Sequence, residues 1–401
     1  MAWVLLQGKM RRGSAILTIN NDTVGLKGKI VSTVDSEDYL RPKLRHVAEA
    51  APAMQLHHMA SQHDHPDASH QSVAECPACA AGLHDHPIPR EVAEMMSKRE
   101  HRMHHWLWHE VRNNWYQYPR DIQQRIDDLG WKPPRPVLDE SGNPNLENDS
   151  GEDFFYMHRQ MIADVNSTLA QVNDPNYSRV QGWLVPPPPD DARSPVPPPW
   201  FNPGEQAQAP FANLERIKSD IFYQKRFRFW QKTFTDPIFL RTVTLGQLGV
   251  MIEMTIHNAM HMRWAAFPGS VRPDPTASTG DIDPTKGEMI DKKWDDPKYD
   301  YLGDTYSSHV NSIFWKLHGW IDDRVEAWKT ANGVFGNDFW KGMWIGKMPG
   351  HEQGVTVHAL LEDPNQAGPH MVEMHQVVNL IAQSGVFHSN PFMPSFSIEV
   401  K

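Results

Sequence analysis

Two histidines four residues apart, His257 and His261, lie in a stretch with neither glycine nor proline from residue 250 to 267. Such a stretch reads as helix, and Pro268-Gly269 stops it. Residues four apart stand one above the other on the same helix face, so the two imidazoles can reach one metal ion. By itself the spacing is weak evidence, because a helical histidine pair arises readily by chance. It recurs, however, at His105 and His109, again in a helix-like run. Two single histidines sit in further helix-like runs: His158 after Phe154-Phe155-Tyr156-Met157, and His318 after Ile313-Phe314-Trp315-Lys316-Leu317. Two pairs and two singles make a three-plus-three set, enough to hold two neighbouring metal ions. His101 and His104 compete locally, since His101, His105 and His109 share one face. His101 is expected in a supporting or surface position. His309, His351, His358, His370 and His375 read as surface histidines.

The chain of 401 residues is long enough for one large domain with appendages. A net charge of -10 gives a nucleic-acid partner no electrostatic support. No apolar run is long enough to span a bilayer. The N-terminal apolar run, residues 1–6, is too short for a signal peptide. The chain as it stands is therefore expected in the cytoplasm, or in the periplasm if a presequence has been removed. The two cysteines, Cys76 and Cys79, rule out a disulfide-built fold.

Taken in order, residues 1–45 are β-rich. Two strand-like runs, 14–19 and 23–31, flank the turn signal Asn20-Asn21-Asp22, which suggests a small hairpin or the remnant of a β domain. Residues 46–90 hold His57, His58, His63, His65, His70, Cys76, Cys79, His84 and His86 without apolar periodicity. They read as a loop that is a metal-capture segment, a small Cys2His2 zinc site, or a plain connector. A helix is predicted over 91–118, ended by Pro119, followed by a loop over 119–150. Asp149 to Asp153 then supply capping and acidic residues for a helix to about 172. Pro186 to Pro189 and Pro197 to Pro199 read as a polyproline-like surface loop. Helices are expected over 218–234, around His257, over 307–331 and over 370–384, with an extended arm over 387–401. The reading is a mainly α protein: a four-helix bundle over 91–350 around the histidines, long irregular loops, and a tail over 351–401.

These residues resemble the type 3 copper superfamily of tyrosinases, catechol oxidases, arthropod prophenoloxidases and hemocyanins. His104-His105-Trp106-Leu107-Trp108-His109 is similar to the arthropod His-His-x-His-Trp-His segment, and Glu152-Asp153-Phe154-Phe155-Tyr156-Met157-His158 to Glu-Leu-Phe-Phe-Tyr-Met-His. Arg159 matches the His-Arg of tyrosinases. His257-Asn258-x-x-His261 matches His-Asn-x-x-His, and Asp304-Thr305 through His318-x-x-Ile321-Asp322 resembles the family's second copper region. The resemblance spans about residues 100–330 and implies two copper ions, held by His105, His109 and His158 and by His257, His261 and His318, with dioxygen as co-substrate. It departs at Asn311-Ser312, where the family has Asp-Pro, which bears on the opening turn of that helix. No cysteine lies near the first region, so the Cys–His thioether of some members is not expected.

Imidazole suits a redox copper site because it holds both oxidation states. The activity implied is hydroxylation of monophenols and oxidation of o-diphenols to o-quinones, most like a bacterial tyrosinase of siderophore (pyoverdine) maturation. Trp106, Trp108, Met260, Met262 and Trp315 are expected to form an apolar wall that excludes water. In tyrosinases an Asn after the fourth ligand and a nearby Glu hold a water that acts as base. Asn258 fits by position, Glu253 by helical spacing, and Asp300 is the second choice. Asp322 is expected to orient a ligand or cap a helix. Alternatives are a catechol or o-aminophenol oxidase without hydroxylation, an oxygen carrier, or a copper-delivery protein resting on residues 57–86. Phe392 or Phe396 of the terminal arm is a candidate plug of the site. The expected partner is a small phenol or a Tyr-containing peptide, with a homodimer as the candidate assembly.

Overall fold

In the computed structural model the described residues are 10–11, 14–15, 17–21, 26–30, 87–175, 177–200, 208–267, 269–270, 290–346 and 367–386. The His/Cys stretch 57–86, His351, His358, Phe392 and Phe396 lie outside them, as does the side chain of His370. The described helices fall in one compact unit and the strand pairs in another. The strands are β1 (Met10–Arg11), β2 (Ser14–Ala15), β3 (Leu17–Asn21) and β4 (Leu26–Ile30). β1 pairs antiparallel with β2, and β3 with β4 in the register Leu17 to Ile30 and Asn21 to Leu26. Asn20 and Asn21 thus belong to a strand and not to the turn expected there.

The protein is mainly α-helical. Helices α1 (Arg90–Met96) and α2 (Arg99–Asn114) replace the single helix expected over 91–118, because the chain breaks at Ser97-Lys98. α3 (Arg120–Asp128) lies where a loop was expected. Its apolar positions Ile122 and Ile126 are buried, and four-residue spacing on so short an element was easily missed. α4 (Ser150–Val172) carries His158. α5 (Gln208–Lys218) precedes α6, which runs through Asp220–Phe222, a π turn Tyr223–Phe227 and Arg228–Phe234. The helix expected over 218–234 therefore has a second helix ahead of it, and Ser219 caps the junction by accepting from Phe222 N. After the short α7 (Pro237–Leu240), α8 comprises Leu245–Ile252, a π turn Glu253–His257, and Asn258–Trp264. α9 (Ser312–Asn332) carries His318, and α10 (Ala367–Gln383) closes the set.

Local chemistry fixes where the histidine helices begin. Thr244 and Gln247 form a reciprocal capping box for α8. Asn311 accepts from Ile313 N at 2.9 Å, so Asn-Ser still starts α9 where the family has Asp-Pro. The packing then brings the helices together. α4 lies against α8 and α9, and α8 touches α9. α4 and α8 cross at glycines: a methyl on Gly151 would lie 2.7 Å from the Gly249 carbonyl carbon and closer still to Gly246 O. The proline-rich segment is tied down by Trp183 N to Lys316 O, Tyr223 Oη to Pro186 O and Trp264 Nε1 to Ser194 O. α10 packs on α2 and α3.

α2 is buried on nearly every side although it is rich in polar residues. Burying polar groups is costly unless they are bonded. Arg102 meets this by donating to the carbonyls of Ser97, Asp296 and Tyr299, which anchors the segment before α9 onto α2.

Candidate metal centre

Four helices deliver six imidazoles to one place: His105 and His109 from α2, His158 from α4, His257 and His261 from α8, His318 from α9. All six are buried. Ligand nitrogens of His105, His109 and His158 lie within 4.8 Å of one another, and so do those of His158, His257 and His318. The rings of His158 and His318 stack at 4.4 Å, and His257 Nε2 lies 3.1 Å from His261 Nε2. The expected partition gave His261, not His158, to the second group. In the structure His158 faces both groups.

Backbone carbonyls set the ring orientations. His105 Nδ1 faces Thr305 O at 2.6 Å, His158 Nδ1 faces Phe154 O at 2.8 Å, His261 Nδ1 faces Leu302 O at 2.8 Å, and His318 Nδ1 faces Phe314 O at 2.9 Å. A carbonyl only accepts, so each of these Nδ1 atoms carries the proton and each Nε2 keeps its lone pair. The turn at Asp304-Thr305 supplies one such carbonyl, with Asp304 accepting from Tyr306 N at 3.0 Å. Phe154 and Phe314 each stand four residues before their histidine, and each is also packed against it. The Phe314 ring stacks on His318 at 3.7 Å, and Phe154 lies 4.9 Å edge-on to His257.

Burial dominates the electrostatics. Desolvation, with the positive charge of neighbouring rings opposing further protonation, holds His109, His158, His261 and His318 well below the usual imidazole range. Desolvation brings His105 to about 4 and His257 to about 3, against bonds to Thr305 O and Asn258 that raise them. Six neutral imidazoles at neutral pH are competent metal ligands. The buried Nε2 atoms of His105, His158 and His318 have no hydrogen-bond partner among the described residues. Lone pairs that converge with nothing to bind repel, and a soft-to-borderline cation answers that repulsion. The residues fit copper.

The remaining expected site residues divide. Asn258 is buried beside the site, and its Oδ1 lies 2.9 Å from His257 Nδ1. Glu253 is also buried, but its carboxylate takes a two-pronged bond from Arg112, at 2.6 and 2.9 Å, and lies 3.9 Å from His109 Nδ1. Glu253 to His257, whose four-residue spacing suggested the base, is a π turn rather than regular α-helix. Asp300 is exposed and accepts from Asn311 Nδ2 with its backbone carbonyl at 3.0 Å, next to the start of α9. Asp322 binds Arg159 at 2.6 Å and so ties α9 to α4 beside His158. Of the expected wall, Trp108 lies edge-on to His109 at 4.8 Å, whereas Met262 packs away from the site on Leu214 and Ile217. Two residues escaped the sequence reading. Arg112 gave only a helical charge as signal. His309, expected at the surface, is fully buried because the 3₁₀ turn Ser308–Val310 is pressed between α1 and α9.

No family model matches the chain. The chain is similar to phenoloxidase subunit 2 of Galleria mellonella. The identity is 22% over 289 residues, 62% of this chain and 34% of the relative, so the chain spans about a third of that protein's length. The similarity and the two buried histidine triads together support a tyrosinase- and hemocyanin-like superfamily.

Proposed function

We propose that the chain is a copper-dependent phenol oxidase that converts monophenols and o-diphenols to o-quinones with dioxygen. The carrying observation is the convergence of six buried imidazoles from four helices, five of them anchored at Nδ1. The similarity to a phenoloxidase supports the choice of substrate class. His105, His109 and His158 would hold one copper, and His257, His261 and His318 the other. Bound copper would supply the redox couple that activates dioxygen. The overall conversions balance as monophenol plus dioxygen giving o-quinone plus water, and two o-diphenols plus dioxygen giving two o-quinones plus two waters.

The chain's own residues do the positioning. The carbonyls of Thr305, Phe154, Leu302 and Phe314 hold four rings so that Nε2 faces the centre. Asn258 holds His257 in the same sense. Phe154, Phe314 and Trp108 wall the site and exclude water. Glu253 serves as the counter-charge of Arg112 beside His109 rather than as a base.

That last observation favours a narrower second reading, an o-diphenol or o-aminophenol oxidase without hydroxylation, because the carboxylate expected to act as base is bonded to Arg112. Oxygen uptake by copper-loaded protein separates the readings. Uptake with a monophenol, including a Tyr-containing peptide such as a siderophore precursor, supports the broad one. Uptake with a catechol alone supports the narrow one, and uptake with neither overturns both.

A further inference from the structure

His309 is a buried histidine outside the six metal-facing ones that bonds directly to one of them. Its Nδ1 lies 3.0 Å from Nδ1 of His105, and its Nε2 lies 3.1 Å from the carbonyl of Met96. The two rings meet edge-on, with centroids 4.8 Å apart and planes at 87°. Neither ring is open to solvent.

Proton counting fixes the direction of these bonds. Met96 O only accepts, so the single proton of neutral His309 sits on Nε2. His309 Nδ1 is then a bare lone pair and needs a donor. Among the described residues its partner is His105 Nδ1, whose hydrogen Thr305 O already requires to be there. The chain of bonds therefore runs from His105 Nδ1–H to His309 Nδ1, and from His309 Nε2–H to Met96 O. His105 is left with Nε2 as its only lone pair, turned toward His109 and His158.

We propose that His309 is a positioning residue for His105. It accepts a share of the His105 Nδ1 proton and is itself anchored on Met96 at the end of α1. It thereby fixes both the tautomer and the tilt of the one ring in the first triad that hangs on the segment before α9. The same segment holds His261 through Leu302 O, whereas the ligand ring that His309 bonds is His105. Its effect is confined to the His105 side. This inference rests on the metal-site reading above only for its second measurement.

The first measurement needs no metal. Long-range ¹⁵N–¹H correlation on histidine-labelled protein reports which ring nitrogen carries the proton. The expected result is Nδ1–H for His105 and Nε2–H for His309. A His309 protonated on Nδ1, or on both nitrogens at neutral pH, overturns the proposal. The second measurement titrates Cu(I) against a competing chelator into wild type, His309→Phe and His309→Gln. Phe keeps ring volume and removes both nitrogens, whereas Gln keeps one acceptor and one donor. For His309→Phe one copper equivalent weakens 10- to 100-fold, the range for removing a ligand's supporting partner. The other equivalent keeps its affinity, and Gln recovers part of the loss. Equal weakening of both equivalents, or of neither, overturns the proposal. If wild type takes up no copper, the metal-site reading fails and the proton positions alone decide the role of His309.

Discussion

Arg112 and Glu253 form a salt bridge between α2 and α8 with no access to water, and cutting it from one side exposes how the site is held. Arg112→Met keeps the length of the stem and removes the charge. Glu253 is then a lone carboxylate in a fully buried position, its two bonds from Arg112 at 2.6 and 2.9 Å gone. Breaking a buried pair from one side costs roughly 3–5 kcal/mol, because the remaining charge is uncompensated. Arg112 also donates to Ser150 O at 2.8 Å and lies 4.8 Å over the Trp108 ring, so the loss falls toward the upper end of that range. Burial already pushes the Glu253 carboxyl up, and Arg112 opposes that push. Without Arg112 the folded-state value rises further above the unfolded one. A carboxyl raised in this way carries no penalty below its unfolded pKa of about 4.3, where both states are protonated. The penalty grows as pH climbs toward the folded value. Arg112→Met is therefore expected to be closest to wild type in mild acid and furthest from it at neutral pH. The double variant Arg112→Met/Glu253→Met should recover most of the loss, since an apolar pair of similar volume often replaces a buried ion pair at little cost. Urea unfolding of the metal-free protein at two pH values measures all three variants. Additive losses in the double variant would refute the coupling, and so would an Arg112→Met loss below about 1 kcal/mol at neutral pH.

Two further outcomes follow from the packing and the histidines. Gly151→Ala places a methyl 2.7 Å from the Gly249 carbonyl carbon, so α4 and α8 must separate; a loss of about 1–3 kcal/mol or more is expected, and a thermal midpoint within a degree of wild type would show that the crossing yields freely. The metal-free protein is expected to lose stability steeply as pH falls below about 6.5. Histidines held low in the folded state take up protons only on unfolding, at roughly 1.4 kcal/mol per pH unit for each ring. The loss continues through the folded values of about 4 for His105 and about 3 for His257. Flat stability between pH 7 and 5 would contradict the burial of the neutral rings, and bound copper should shift the acid transition downward.

Much of the site was legible because helices write their faces into the sequence. The four-residue spacing of His105 with His109 and of His257 with His261 survives folding, since it needs only local backbone geometry. The Phe-x-x-x-His pattern of α4 and α9 was equally visible, although its meaning was not: the phenylalanine carbonyl anchors Nδ1 while its ring packs on the site. The opening of α9 is set locally by the Asn311 cap, at Ser312 rather than at the expected 307.

What the sequence determined by itself depends on neighbours within one or two turns: the helical character of the segments that carry the histidines, and the shared face of each histidine pair. Tertiary structure alone decided which groups from distant segments share a dry space. His309 was read as a surface residue because nothing near it in sequence shows that the segment around it is wedged between α1 and α9. Glu253 was read as a base because its helical offset points toward His257, and only the tertiary structure shows Arg112, 141 residues away, bonded to its carboxylate. Burial and pairing set the charge of a titratable group, and both are properties of the packed molecule rather than of the chain.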